Sequence, residues 1–234
     1  MNYLIWRGRD SRNIAGLIIS ELPPITKPQM RVAETIIDGV DGSMIEELGY
    51  EPYDRPVTIG LKRNTDIDEV IEYFTGNGEV VFSNEEGKYY KASIIGRIDY
   101  ARLVRFRTAT VTFRVQPFKY EYQEEPSVVL NAENTLSSAV VNNNGNYTAK
   151  PVIEIEGSGD IELTVNGNTL FRYTFPEGEN TVVIDSEKQD AYLGAVLKNR
   201  NMIGEFPILE IGENTISWEG IVTQMIISSK SRWL

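Results

Sequence analysis

The sequence predicts a mainly β protein in two domains. Residues 1–124 read as an antiparallel β domain with one packed helix and an extended arm and hairpin. Residues 125–234 read as a β-sandwich of jelly-roll kind. Three observations carry this. Between Leu103 and Tyr122, residues Ala109, Val111, Phe113 and Val115 alternate with Thr108, Thr110, Thr112, Arg114 and Gln116, the period of a strand with one buried face. Thr65–Phe74 carries a clear helical signature. Beyond Glu124, short apolar runs follow one another with turn chemistry between them.

Taken in order, Tyr3–Trp6 is a first short strand and Ile14–Ser20 a second, separated by the polar turn Arg7–Asn13. Pro23, Pro24 and Pro28 then impose an extended arm that pairs incompletely, because proline offers no ladder donor. Gln29–Ile37 and Met44–Leu48 form a hairpin around Asp38-Gly39-Val40-Asp41-Gly42, whose two Asp-Gly pairs are strong turn chemistry. Asp54-Arg55-Pro56 leads into the strand Val57–Lys62. Thr65 is the expected N-cap, with Asp66, Asp68 and Glu69 in the first turn, where negative charge complements the helix dipole. Ile67, Val70, Ile71 and Phe74 supply the apolar stripe, and Gly76-Asn77-Gly78 stops it.

Glu79–Ser83 and Tyr89–Ile95 make a second hairpin over Asn84–Gly87, and Ile98–Tyr100 starts the return to the long strand. That strand reverses phase upstream, where Val104 and Phe106 are apolar and Arg105 and Arg107 polar. A bulge near Arg107 or Thr108 would reconcile the halves. Pro117 is expected to end its pairing. The second half reads as strands Val152–Glu156, Ile161–Val165, Thr169–Phe175, Thr181–Ile184, Ala191–Leu197, Ile208–Ile211, Thr215–Trp218 and Val222–Ser228. Gly157–Asp160 is a turn, and Asn166-Gly167 is the strongest two-residue hairpin signal in the chain.

Composition narrows the chemistry. Of 234 residues none is Cys and none is His, so disulfides, thiol chemistry and the commonest general base and metal ligand are missing. The net charge is −11, with 16 basic and 19 acidic residues up to Glu124 and 7 and 15 beyond it. So acidic a chain is a poor grip for phosphates. No apolar run approaches the ~20 residues of a membrane helix. Met1–Asp10 places its basic residues after its apolar ones, the reverse of a signal peptide, so the expectation is a soluble protein.

Several features, in this order, resemble the siphophage distal tail (Dit) proteins of phages infecting Gram-positive hosts. They are the Asp38–Gly42 hairpin with Tyr53-Asp54-Arg55-Pro56, the Thr65–Phe74 helix, Gly78-Glu79-Val80-Val81-Phe82, Tyr89-Tyr90-Lys91-Ala92 and Pro117-Phe118-Lys119-Tyr120. In the second half they are Asn144-Gly145-Asn146 with Ala149-Lys150-Pro151, and Gly204–Leu209 with Gly212-Glu213-Asn214. The resemblance implies a non-enzymatic homo-oligomeric ring, commonly a hexamer, built by the first domain at the end of the tail tube. It implies a galectin-like second domain projecting outward. The partners implied are the major tail-tube protein, the tail-associated hub and receptor-binding or baseplate proteins. DNA would pass only through the lumen; no membrane, metal or cofactor is involved. The place implied is the virion's tail tip, assembled in the host cytoplasm. The chain has no room for the carbohydrate-binding insertion of some members.

Candidate interface residues are Asp38 and Asp41 in the hairpin turn and the basic lattice Arg97, Arg102, Arg105 and Arg107. Asp38 and Asp41 also suit calcium, but lack the dense spacing of a known loop, and turn chemistry explains them more simply. The lattice reads either as a nucleic-acid patch or as ion pairs to the acidic first helical turn of another subunit. An alternative function is a carbohydrate-binding adhesion module recognising host cell-wall glycans. Tyr147, Tyr173, Tyr192, Trp218 and Trp233 are its stacking candidates, Tyr173 and Trp218 foremost, and core packing is the competing role. A wall-degrading hydrolase would need Glu154 and Glu156, about 7 Å apart on one strand face. Ile153 and Ile155 mark the opposite face as buried, which leaves the carboxylates as its solvated side. Ser158 in Gly-Ser-Gly has no nucleophile elbow around it.

Overall fold

The computed structural model describes residues 1–39, 41–63, 65–98, 105–130 and 137–234. Met1–Tyr122 forms one compact unit and Gln123–Trp233 a second. The first contains β1 (Leu4–Trp6), β2 (Arg9–Asp10), β3 (Leu17–Glu21), β4 (Met30–Thr35), β5 (Met44–Tyr50), β6 (Tyr53–Leu61), α1 (Ile67–Tyr73), β7 (Asn77–Phe82), β8 (Lys88–Ser93) and β9 (Thr108–Glu121). Its antiparallel sheet runs β2-β1-β7-β8-β9-β6-β3, while among the described residues β4 and β5 pair only with each other.

The alternation in β9 decides which face is inside. Ala109, Val111, Phe113 and Val115 are all buried, and Phe113 lies at the centre of the core. Its ring meets Trp6 at 5.2 Å, Phe82 at 5.7 Å and Phe74 at 6.3 Å, all edge-on, the arrangement aromatic quadrupoles favour. Helix α1 covers this face with Val70, Tyr73 and the following Phe74. Its N-cap is Asp66, which accepts from the Asp68 amide at 2.9 Å, and not Thr65. The Thr65 hydroxyl instead donates to the Lys62 carbonyl. An ionised carboxylate is a stronger acceptor for the first-turn amides than a hydroxyl.

Two expectations about β9 are corrected. The upstream phase reversal is not a bulge within one strand: Arg105 and Phe106 are helical, and Arg107, at φ 59°, turns the chain into β9 at Thr108. Leu103 and Val104 lie outside the described residues, as do Asp99 and Tyr100 of the expected return; Ile98 is in no strand. Nor does Pro117 end the pairing. Ala92 pairs Val115 and Tyr90 pairs Lys119, so Lys91 alone stands opposite Gln116, Pro117 and Phe118. The proline sits in that bulge, where no ladder donor is needed, and pairing with β8 resumes to Glu121.

The second unit contains β10 (Ser127–Leu130), β11 (Ser138–Asn143), β12 (Val152–Val165), β13 (Thr169–Thr174), β14 (Thr181–Asp185), β15 (Asp190–Leu193), β16 (Val196–Leu197), β17 (Met202–Gly204) and β18 (Gly212–Ser228). Gly157–Asp160 is not a turn between strands but a bend inside β12, and Thr215–Trp218 and Val222–Ser228 are two halves of β18. One end of the β12–β18 pair carries β10 and β14–β16, and the other carries β11, β13 and β17. Two long strands thus pass from one sheet to the other through a bend.

Glycine makes the bend possible. A Cβ on Gly220, at φ +101°, would fall 2.3 Å from the Asp160 carbonyl oxygen, and one on Gly157 2.3 Å from that of Ile221. Ile153, Ile155, Val182, Ile184, Met225 and Ile227 from one end share a single core with Leu163, Phe171, Ile216 and Trp218 from the other. The Asn166-Gly167 turn is as expected, with both residues at positive φ (52° and 73°). Ile208–Ile211 is not a strand: Leu209 makes only an isolated bridge to Ala149. Val196 and Leu197 fold back on β15 around Gly194.

Candidate functional site: an assembly surface

The most unusual surface is the β4–β5 hairpin. Met30 pairs Tyr50, Val32 pairs Glu47 and Thr35 pairs Met44, yet neither face meets a core. Met44 is 66 % exposed, Ile45 65 % and Ile36 74 %, while no residue of either strand belongs to the core cluster. An isolated two-stranded hairpin is marginally stable in water. Among the described residues no third strand pairs with either of its outer borders, and such edges are the kind that neighbouring chains complete.

The chain holds this hairpin firmly at its root. Glu51 N–H donates to the Gln29 carbonyl at 2.8 Å, which brings the two ends together. The arm before it, Leu22–Gln29, has no ladder because of its prolines, and side chains from the sheet satisfy it instead. Asn84 Nδ2 donates to the Pro23 carbonyl at 2.9 Å, and Arg55 Nη2 reaches the Pro23 and Pro24 carbonyls at 3.4 and 3.3 Å.

Arg55 is 1 % exposed, an unusual place for a guanidinium. Its Nη1 donates to Glu85 Oε2 at 2.9 Å and also to the Tyr90 hydroxyl. Tyr90 in turn donates to Glu85 Oε2 at 2.6 Å, and Lys119 Nζ to Glu85 Oε1 at 2.7 Å. Phe82 and Tyr90 flank the cation, with ring centroids 4.9 and 4.7 Å from it. Burial raises the Glu85 pKa, but Lys119, Tyr90 and Arg55 together outweigh it and hold the carboxyl below its ordinary range. Burial and the Glu85 contact push the Tyr90 hydroxyl up, keeping it a proton donor. Sequence reading missed this cluster. The available signal was parity, since Arg55 occupies the same side of β6 as Val57, Ile59 and Leu61.

The predicted interface residues fall into separate places. Asp38 and Asp41 sit at the exposed hairpin turn. Arg107 lies at the start of β9 against Lys62, whose carbonyl its Nη1 reaches at 3.5 Å, and Arg105 is two residues before it. Arg97 is exposed on the loop after β8, and Arg102 lies outside the described residues. The acidic first helical turn is partly occupied within its own chain, because Arg9 pairs with Glu69 at 3.5 Å; the same arginine reaches Glu72 in the last turn at 3.1 Å. Tyr173 and Trp218 both turn into the core of the second unit, 1 % and 6 % exposed. Ile153 and Ile155 are fully buried while Glu154 faces solvent, as their alternation requires. Among the described residues no cluster of three or more Asp or Glu has metal-ligand geometry, and no helix is long and apolar enough to cross a membrane.

The whole chain superimposes on a solved phage protein, SPP1 Dit, described as a paradigm of the hub adsorption apparatus in phages infecting Gram-positive hosts. The match spans 100 % of both chains at a TM-score of 0.72, with 15 % identity. The fold is that of SPP1 Dit. A structure of the phage p2 baseplate, in its activated conformation with Sr, also matches, over 97 % of each chain at a TM-score of 0.50 and 9 % identity. In sequence the chain matches no protein family and no curated protein. At these identities the likeness lies in backbone architecture, and both parts of the Dit fold are included in it. The projecting hairpin and its buried Arg55 anchor are features of this chain's own residues within that fold.

Proposed function

We propose that this chain is a structural component of a siphophage tail tip, a distal tail protein whose first domain assembles a closed ring of six copies. The observation that carries the reading is the end-to-end match to SPP1 Dit over both units. The exposed β4–β5 hairpin supports it from the chain itself, since an apolar, edge-bearing element without a core needs a neighbour. A cyclic head-to-tail contact uses such an edge without growing into a fibre. In this reading residues 1–124 form the ring, between the tail-tube protein on one side and the tail hub on the other. Residues 125–234 hold receptor-binding or baseplate proteins. On the same reading DNA passes through the lumen of a ring whose subunit is net acidic in residues 1–124, which offers phosphate few cations. The protein acts by geometry, without catalysis.

The carbohydrate-binding reading has less support. An open recess of about 460 Å³ on the second unit is lined by the Glu162–Arg172 ion pair, Asp160, Thr174, Glu219 and Ile203. With the Tyr173 ring buried, the recess has no aromatic platform for a sugar. Sedimentation velocity and negative-stain microscopy of the purified chain, alone and with tail-tube protein, test the proposal. A ring with a central lumen is expected; a monomer persisting at high concentration with tube protein present would overturn it.

A further inference from the structure

The first unit carries two exposed patches of opposite sign, each rich in charges without an ion pair among the described residues. Residues 30–50 carry five acids, Glu34, Asp38, Asp41, Glu46 and Glu47, against one base, Arg31. Arg31 is directed to the Leu48 carbonyl, and none of the five acids forms an ion pair with a described residue. The second patch lies where β6 ends and β9 begins. The Leu61 amide donates to the Arg107 carbonyl at 3.0 Å, and Arg107 reaches Lys62, so Lys62, Arg63, Arg105 and Arg107 gather at one end of the sheet. None of these four has an ion pair among the described residues, and the nearest acids in sequence, Asp66 and Asp68, leave them unpaired. Both patches also expose apolar surface, Met44 and Ile45 on the hairpin and Phe106, 61 % exposed, between the two arginines.

Several other charges of this unit are paired internally: Arg9 with Glu69 and Glu72, Arg12 with Asp10, Arg55 and Lys119 with Glu85, and Arg114 with Asp54. The two patches complement each other in sign, and both expose apolar side chains. We infer that the acidic hairpin of one copy docks on the Lys62–Arg63–Arg105–Arg107 patch of the next. The occupant of each surface is therefore a second copy of this chain, joined head to tail. This rests on the ring reading and adds the residues that set its subunit contact. It replaces the helix-turn acids as partners of the arginines. Opposed charges at such a contact set register and association rate, whereas like charges facing each other are strongly unfavourable.

A pair of charge reversals tests this with built-in rescue. One variant carries Glu46→Lys with Glu47→Lys, the other Arg105→Glu with Arg107→Glu. All four residues lie on the surface, and circular dichroism with a thermal melt checks that each variant is folded. Each alone places like charges at every contact, and its self-association should fall at least about a hundredfold. Mixed in equal amounts, the two alternate so that every contact is again between opposite charges, and assembly should return. Variants that assemble like the wild type, or a mixture that stays dissociated, would overturn the charge pairing while leaving the ring itself standing. A wild-type chain that never associates would overturn both.

Discussion

Glu85→Gln isolates the anchor beneath the hairpin. The substitution keeps the side-chain shape but removes the anion that faces Arg55, Lys119 and Tyr90. Arg55, 1 % exposed, is left with carbonyl partners and an amide in place of a carboxylate. Removing one partner of a buried ion pair costs about 3–5 kcal/mol, against a total domain stability of about 5–15 kcal/mol. For a unit of this size that is a fall of about 15 °C in melting temperature. Arg55→Met should cost less, about 3 kcal/mol, because Glu85 keeps Lys119 and Tyr90 as partners. The pH dependence has a definite sign. The folded-state pKa of Glu85 lies below its ordinary value of 4.5. Its contribution is therefore present at neutral pH and disappears as the pH falls through that value and below. Differential scanning calorimetry from pH 7 to pH 3 reads both effects. The gap between wild type and Glu85→Gln should be wide at neutral pH and close in acid. Equal melting temperatures at pH 7, or a gap that does not narrow in acid, would refute the assignment of a buried, ionised anchor.

Phe113→Ala should destabilise the first unit by about 3–5 kcal/mol in urea unfolding, since it opens a void among Trp6, Phe74 and Phe82. Gly220→Ala should cost the second unit about 2–4 kcal/mol by placing a Cβ against the Asp160 carbonyl at positive φ, seen as a lower melting temperature with the first unit's transition unmoved. Trp218→Ala should also act through stability, by about 3–5 kcal/mol, and glycan-array profiles of wild type and variant should not differ where both are folded. Replacing residues 30–50 by a short Gly-Ser link between Gln29 and Glu51 should leave the melting temperature within a few degrees. It should abolish self-association in sedimentation velocity.

Much of the fold was legible because it rests on short-range periodicity. The parity of β9 named its buried face residue by residue, and the Asp-Gly and Asn-Gly pairs located two hairpins. What escaped depends on contacts distant in sequence. Nothing near Gly157–Asp160 distinguishes a turn from a bend until β18 lies alongside, with Gly220 against Asp160. Pro117 reads as a stop by local rules, and only the bulge opposite Lys91 lets the strand continue. The arginines between 97 and 107 look like one lattice in sequence, whereas the fold keeps Arg97 on its own loop and sets Arg107 against Lys62, with Arg105 two residues before it. Arg55 was hidden by its type: an arginine is read as surface unless its parity with Val57, Ile59 and Leu61 is given more weight than its charge.

Both units carry sheet borders, and what sets the first apart is a border-bearing hairpin with no core behind it. In the second unit the border strands β16 and β17 have two and three residues, too short to template a neighbouring strand, while β10 and β11, with four and six, pair on one side with β18 and β11 is backed by the core through Val141. The long strands β12 and β18 spend both sides on partners within the unit. In the first unit the sheet ends on β2 with two residues and β3 with five, and the separate hairpin strands β4 and β5 have six and seven. A hairpin of that length with exposed Met44 and Ile45 would be an aggregation hazard on a monomer. Its acidic residues repel indiscriminate stacking of hairpin on hairpin, while leaving a basic surface as a fit. Under the proposed ring, a buried ionic anchor beneath such an element would fix the hairpin's direction before a partner arrives, because a contact that closes a ring tolerates little angular error.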